Sequence, residues 1–119
     1  MASAVKRKLS GSTDGRAIAL DQTSSPGTTI HTSVAGTTAG TFDEVWLWAF
    51  NSDSTDRSLT LEYGGTTAPD DNIVLTVPYQ SGLVPVVPGL ILQNSSVVRA
   101  FSDTTGVITL SGYVNSITD

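Results

Sequence analysis

Histidine and cysteine, which most often supply general bases, nucleophiles and soft metal ligands, are almost absent from this sequence. His31 is the single histidine, and there is no cysteine. A zinc site would therefore need Asp or Glu for nearly every ligand, which is unusual for that metal. The chain has 15 serines, but no Gly-x-Ser-x-Gly turn that would present one of them as a nucleophile. We predict a structural or surface role for His31 and no catalytic residues.

The acidic residues give no clearer sign of a reaction. Nine of the eleven are Asp, and most stand among turn residues, where a short carboxylate bonds the local backbone. Residues 53–56 and 70–72 offer oxygens to calcium, but neither has the spacing of an EF-hand loop, so turn chemistry is favoured. Glu44 and Glu62 have no obvious counterpart for acid–base catalysis. The sequence thus predicts a protein that is not an enzyme and holds no cofactor or metal.

Basic residues are concentrated at the N-terminus. Residues 1–16 have a net charge of +3, whereas residues 17–119 have a net charge of −8. An acidic body argues against nucleic-acid binding by the folded domain. We interpret Lys6, Arg7 and Lys8 as part of a solvated tail, the alternative being contact with nucleic acid or an acidic protein surface. No apolar run is long enough for a signal peptide or a membrane span, so we expect synthesis in the cytoplasm without a signal peptide and no membrane contact.

Short runs of β-forming residues alternate with turn residues along the rest of the chain. Residues 1–16 show neither helical nor strand periodicity, which predicts a flexible basic arm followed by one domain over 17–119. The pattern predicts an all-β, antiparallel β-sandwich or jelly-roll-like domain of about eight short strands, with no helix of two turns or more. The predicted strands are 17–20, 28–34, 44–51, 58–63, 72–77, 83–87 with 90–93, 96–101 and 107–117.

The run from Val45 to Phe50 is apolar on both faces of its predicted strand. Trp46, Trp48 and Phe50 share one face, and the residues between them share the other. The run is therefore either a central core strand or a strand with one face in a subunit interface, where aromatic residues are enriched.

The segment 83–92 is also apolar, but it contains two prolines. Proline donates no hydrogen bond to a β-ladder, so Pro85 and Pro88 indicate an edge strand, a bulge or a switch from strand to loop. The prolines either blunt this edge against uncontrolled pairing, or a partner covers the edge next to Leu90.

The order of these runs resembles that of a known class of proteins. The chain has Val45-Trp-Leu-Trp-Ala-Phe-Asn-Ser52, Asp56-Arg-Ser-Leu-Thr-Leu-Glu-Tyr-Gly-Gly65, Ile73-Val-Leu-Thr-Val-Pro78, Gly82-Leu-Val-Pro-Val-Val-Pro-Gly89 and Val107-Ile-Thr-Leu-Ser-Gly-Tyr-Val-Asn115. This succession is similar to that of small virion proteins of tailed bacteriophages, most like capsid decoration (cement) proteins. The resemblance covers residues 17–119, and no binding residue is carried over from it.

The resemblance implies a structural protein on the capsid surface of a virion, bound to the major capsid protein or other shell proteins and forming a homo-oligomer, with a trimer favoured. The alternatives are another virion component, such as a head spike, neck or tail protein, and a carbohydrate-binding module that uses Trp46, Trp48, Tyr79 or Tyr113. From the residues themselves, we select nine interface candidates: Lys6, Arg7, Lys8, Trp46, Trp48, Phe50, Pro85, Pro88 and Leu90.

Overall fold

Apolar and polar residues alternate along most of the segments between turns, and these segments form strands. The computed structural model describes residues 2–119, and within them it has nine strands and no helix. The strands are β1 (Ser3–Lys8), β2 (Ile18–Ala19), β3 (Thr28–Thr32), β4 (Phe42–Asn51), β5 (Arg57–Tyr63), β6 (Asn72–Val77), β7 (Val84–Leu92), β8 (Val97–Ser102) and β9 (Ile108–Thr118). The prediction of an all-β fold is confirmed, and each of the eight predicted strands has a counterpart.

The strands form two antiparallel sheets that enclose one core. Sheet A has the order β1-β9-β4-β7, with β2 also paired to β9, and sheet B has the order β3-β8-β5-β6. Apolar side chains from the inner faces of both sheets are at most 1 % exposed, as in the interior of a β-sandwich. Those with the largest side chains are Leu9, Leu20, Ile30, Leu47, Leu59, Leu61, Ile108 and Leu110.

The N-terminal segment differs from the separate arm predicted over residues 1–16. Ser3–Lys8 is strand β1, which pairs antiparallel with β9 from Ser3 opposite Thr118 to Lys8 opposite Tyr113. Leu9 follows directly and is 1 % exposed in the core. The boundary predicted at residue 16 therefore does not separate an arm from the sandwich. The pattern gave no strand signal because all six residues of β1 are exposed and do not alternate.

The chain then crosses from sheet A to the outer edge of sheet B. The Gly11 amide donates to the Ile30 carbonyl over 2.9 Å, and the Thr32 amide donates to the Ser10 hydroxyl over 2.7 Å. A Cβ on Gly11 would lie 2.6 Å from the Thr29 carbonyl oxygen, so only glycine allows this close approach. The glycine- and serine-rich segment is thus part of the fold and covers the free edge of β3.

Strand β7 runs through the proline-containing segment without a break. It lies at the edge of sheet A, and its register with β4 shifts twice, once beside each proline. Of the three alternatives that the prolines indicated, the edge strand and the bulge are therefore both present, and the switch from strand to loop is not. The bulges keep Pro88 opposite Trp46 and Pro85 opposite Trp48, so this register places the prolines beside the indole rings.

Candidate docking surface

The two faces of β4 have different roles. Val45, Leu47 and Ala49 are at most 1 % exposed and belong to the core, whereas Trp46 and Trp48 are half-buried on the outer side of sheet A. The two apolar faces predicted for this run, one aromatic and one aliphatic, are therefore present. The outer side is the one that sheet B does not cover.

Three aromatic rings meet on this outer side. Trp46 and Trp48 have ring centroids 6.5 Å apart, and the ring of Tyr113 on β9 lies 6.3 Å from Trp46 and 6.0 Å from Trp48. The planes differ by 17–30°, an offset-stacked arrangement that aromatic rings prefer over a face-to-face sandwich. The β4–β9 register causes the meeting, because Trp46 lies directly opposite Tyr113.

Lys6 of β1 completes the cluster. Its Nζ atom lies 4.5 Å from the centroid of the Tyr113 ring, within the range of a cation–π contact. Two features that are far apart in the sequence, the basic N-terminus and the tryptophan strand, therefore share one surface. We call Lys6, Trp46, Trp48 and Tyr113 the aromatic face.

Two hydrogen bonds to Glu44 fix the aromatic face at Trp46. The Trp46 indole N–H donates to Glu44 Oε1 over 2.7 Å, and the Asn115 amide nitrogen donates to the same oxygen over 3.0 Å. The bond from Asn115, followed by the bond from Trp46, holds the pKa of Glu44 below its usual range. The carboxylate thus fixes the Trp46 ring in one orientation.

Two glycines let the strands approach this cluster. A Cβ on Gly112 would overlap the carbonyl oxygen of Trp46 across the β4–β9 pair. A Cβ on Gly89, whose φ is +85°, would lie 2.8 Å from Cζ2 of the Trp46 ring. Only glycine readily adopts this backbone conformation, and its missing side chain leaves room for the indole ring.

The nine predicted interface residues do not all lie together. Lys6, Trp46, Trp48, Pro85 and Pro88 lie on the outer side of sheet A. Phe50 continues the same side of β4, half-buried and opposite Thr109.

The side-chain contacts of the other three candidates lie outside this cluster, although Lys8 is opposite Tyr113 in the β1–β9 register. The Lys8 ammonium donates to the Ser12 carbonyl over 3.0 Å, and Arg7 lines a cavity near the end of β3. Leu90 is 44 % exposed, and its carbonyl accepts a bond from the Tyr63 hydroxyl that joins the two sheets. Burial, with the charge of Asp43 adding to it, raises the pKa of Tyr63 above its usual range.

Sequence reasoning gave Tyr113 only as a possible sugar-stacking ring, and the strand register is what joins it to the tryptophans.

His31 lies inside the sandwich. It is 4 % exposed, its Nε2 lies 2.7 Å from Asp43 Oδ2, and its Nδ1 accepts a bond from the Ser10 amide over 3.0 Å. Because Nδ1 accepts, the proton of the neutral ring is on Nε2 and points at Asp43. Both ring nitrogens are thus engaged in contacts that join β3, β4 and the crossing segment, and neither contacts a side-chain hydroxyl. These bonds support the structural role predicted for this histidine.

The cavity beside this pair has a volume of about 480 Å³. Arg7, Thr32, Ser33 and Ser116 contribute to its walls. The Ser33 hydroxyl is buried and bonds no other group in the described residues. The Ser116 hydroxyl donates to Asp43 over 2.7 Å, so this wall of the cavity helps to satisfy the buried carboxylate.

The acidic turns bond the local backbone, as turn chemistry requires. Asp53 accepts from the Ser54 amide and from Arg57, and these contacts lower the pKa of Asp53, the backbone bond most. Asp71 accepts from the Thr67 amide over 3.0 Å. Across residues 2–119, no three His, Cys, Asp or Glu side chains are grouped so as to hold a metal ion.

Comparison with known proteins gives no relative. No family model matches the chain, and neither a curated protein nor a solved structure is similar to it. No helix in the described part of the chain is long and apolar enough to cross a membrane.

Proposed function

We propose that this chain is a structural virion protein, a capsid decoration or cement protein that docks on the outer shell of a tailed-phage capsid through the aromatic face. The observation that carries the proposal is the gathering of Trp46, Trp48 and Tyr113 under Lys6 on the uncovered side of sheet A. The resemblance of residues 17–119 to such proteins supplies the class of partner, which is the major capsid protein or another shell protein.

The chemistry of the aromatic face suits protein contact. Tryptophan and tyrosine are the residues most enriched where a few side chains provide most of the binding energy of an interface. The rings are already held by Glu44, by Gly89 and by one another, so docking fixes few additional rotamers. Lys6 adds a positive charge to an otherwise acidic chain, which favours an acidic patch on the shell.

A shell offers the same contact many times. Simultaneous contacts by linked copies convert modest single affinities into strong attachment. Binding only to the assembled lattice also stabilises that lattice by mass action. A homo-oligomer presenting several aromatic faces would therefore cement neighbouring shell subunits.

A carbohydrate-binding module is the second candidate, and one observation favours it. Stacked rings flanked by a carboxylate and an amide, here Glu44 and Asn115, are groups that also bind the faces and hydroxyls of sugars. Binding of the isolated protein to a glycan array, lost in Trp48→Ala, would support this candidate over shell docking.

The test uses undecorated shells assembled from the major capsid protein of the virus that encodes the chain. Full-length protein is sedimented with these shells, and binding is compared for Trp48→Ala, Lys6→Glu and a control, Leu83→Ala. Leu83 is 63 % exposed and lies outside the aromatic face, so it controls for loss of any exposed apolar side chain.

We expect Trp48→Ala to weaken shell binding by at least about thirtyfold, which corresponds to roughly 2 kcal/mol for an interface residue of this kind. Lys6→Glu should weaken binding most at low salt, because the attraction it removes is electrostatic. Thermal unfolding of each variant separates lost docking from lost folding. Equal binding by all four proteins, or no binding by any, would contradict the proposal.

A further inference from the structure

The two sheets have four edges, and three of them are protected against pairing with another strand. Beside β9, the edge of sheet A consists of β1 and the two-residue strand β2. Strand β1 carries Lys6, Arg7 and Lys8, and charged side chains and very short edge strands oppose uncontrolled strand addition. At the other edge of sheet A, β7 has Pro85, Pro88 and two register shifts, which interrupt a regular ladder.

The edge of sheet B at β3 is covered by the chain itself. The crossing segment supplies the Ser10 hydroxyl to the Thr32 amide and the Gly11 amide to the Ile30 carbonyl. Two outward-pointing backbone groups of β3, the Ile30 carbonyl and the Thr32 amide, are therefore already bonded within the same molecule.

The fourth edge, β6, has none of these protections. Asn72–Val77 contains no charged residue and no proline, and most of its residues are apolar or β-branched. Apart from its pairing with β5, the backbone of residues 73–76 makes no hydrogen bond in the described part of the chain. Val74 is 63 % exposed on the outer side, and Ile73 and Leu75 are only half-buried on the inner side. A strand added here would cover apolar surface on both sides.

We propose that β6 pairs antiparallel with β6 of a second copy of this chain, which joins the two four-stranded sheets B into one sheet across a two-fold axis. Each molecule has one such edge, so the pairing closes at a dimer and does not extend into a fibre. The proposal concerns a surface on sheet B and does not depend on the aromatic face.

The charges around β6 favour a second copy in the antiparallel direction. Asp70 and Asp71 precede the strand, whereas uncharged Pro78 and Tyr79 follow it. A parallel pair would place the acidic ends of two copies side by side, and like charges at close range are unfavourable. In an antiparallel pair centred on Leu75, each acidic end meets the uncharged end of its partner, where Tyr79 is 54 % exposed.

Sedimentation velocity of the full-length chain over a wide range of concentration tests the proposal. The mass should rise reversibly from 12.4 kDa to twice that value. Val74→Lys places a charge on the exposed face of the edge, and Ser58→Lys places the same charge on the same sheet face one strand inward. We expect Val74→Lys to raise the dissociation constant of the dimer at least about tenfold, or roughly 1.4 kcal/mol, and Ser58→Lys to leave it unchanged.

A trimer, a monomer at every concentration, or a Val74→Lys variant that dimerises as well as the parent would overturn the proposal. Circular dichroism confirms that each variant is folded, and Thr76→Lys on the same exposed face replaces Val74→Lys if that variant unfolds. Hydrogen exchange gives a second readout, because those amides of residues 73–76 that point away from β5 should become more protected as concentration rises. Protection that does not change with concentration would contradict pairing at this edge.

Discussion

The buried Asp43 offers the sharpest test of the hydrogen-bond network that joins the two sheets. Asp43 is 3 % exposed, and its carboxylate accepts three hydrogen bonds. Its Oδ2 accepts from His31 Nε2 over 2.7 Å and from the Val34 amide over 3.2 Å, and its Oδ1 accepts from the Ser116 hydroxyl over 2.7 Å. Removal of this acceptor leaves donors without partners in the interior.

Asp43→Leu keeps the approximate shape of the side chain and removes every acceptor. The Ser116 hydroxyl can rotate to another partner, but His31 cannot move its proton, because Nδ1 accepts from the Ser10 amide. The buried His31 N–H and the half-buried Val34 amide therefore lose their partner, and an unsatisfied buried donor costs about 1–3 kcal/mol. The loss of a buried carboxylate offsets part of this cost, so we expect the free energy of unfolding to fall by about 3 kcal/mol.

Asp43→Asn is the matched control. Its amide oxygen can take the place of Oδ2, and its NH₂ group can donate to the Ser116 hydroxyl, so we expect a loss of no more than about 1 kcal/mol. Urea unfolding followed by tryptophan fluorescence measures both variants at one pH, with equal slopes required for the comparison. If the Leu and Asn variants unfold within about 1 kcal/mol of each other, the assigned proton on His31 is wrong.

Two further predictions concern the aromatic face. Gly112→Ala places a Cβ against the Trp46 carbonyl and should push β4 away from β9. We therefore expect the free energy of unfolding, measured by urea unfolding, to fall by about 3 kcal/mol or more. An unchanged free energy of unfolding would contradict this close approach. The lowered pKa of Glu44 means that its bonds stabilise the fold above its unfolded pKa and that this contribution is lost as pH falls through the folded value. Stability measured across the acidic range should therefore decline less steeply in Glu44→Gln than in the parent, and identical curves would show that these bonds do not matter.

The sequence was informative about strands wherever one face is buried. In β5, Leu59 and Leu61 are buried while Ser58 and Thr60 are not, and the same alternation is legible in the residue types. Strand β1 could not be found this way, because none of its side chains enters the core. Its place depends on backbone pairing with β9 at the opposite end of the chain, and residue types carry little information about such long-range register.

The same distinction applies to the candidate surface. The alternation of β4 was enough to place Trp46 and Trp48 on one side, but not to bring Tyr113 or Lys6 to them. Sequence patterns also failed to predict which acidic residues are buried. Glu62 is 1 % exposed and accepts from the Gly27 amide over 2.7 Å, a partner supplied by a distant loop that a local pattern does not reveal. These contacts join residues that are distant in the sequence, so local residue patterns could not predict them.

The two proposed surfaces have compatible geometry. Residues directly opposite each other in an antiparallel pair lie on the same face of the sheet, so a two-fold axis between two β6 strands runs perpendicular to sheet B. Sheet A of each copy then lies on the same side of the joined sheet, and both aromatic faces point in one direction. Such a dimer binds a lattice bivalently, which adds avidity without any new contact to the shell. Val74→Lys should therefore weaken shell binding although Val74 lies on the other sheet, and the single-site affinity of the monomer should be unchanged.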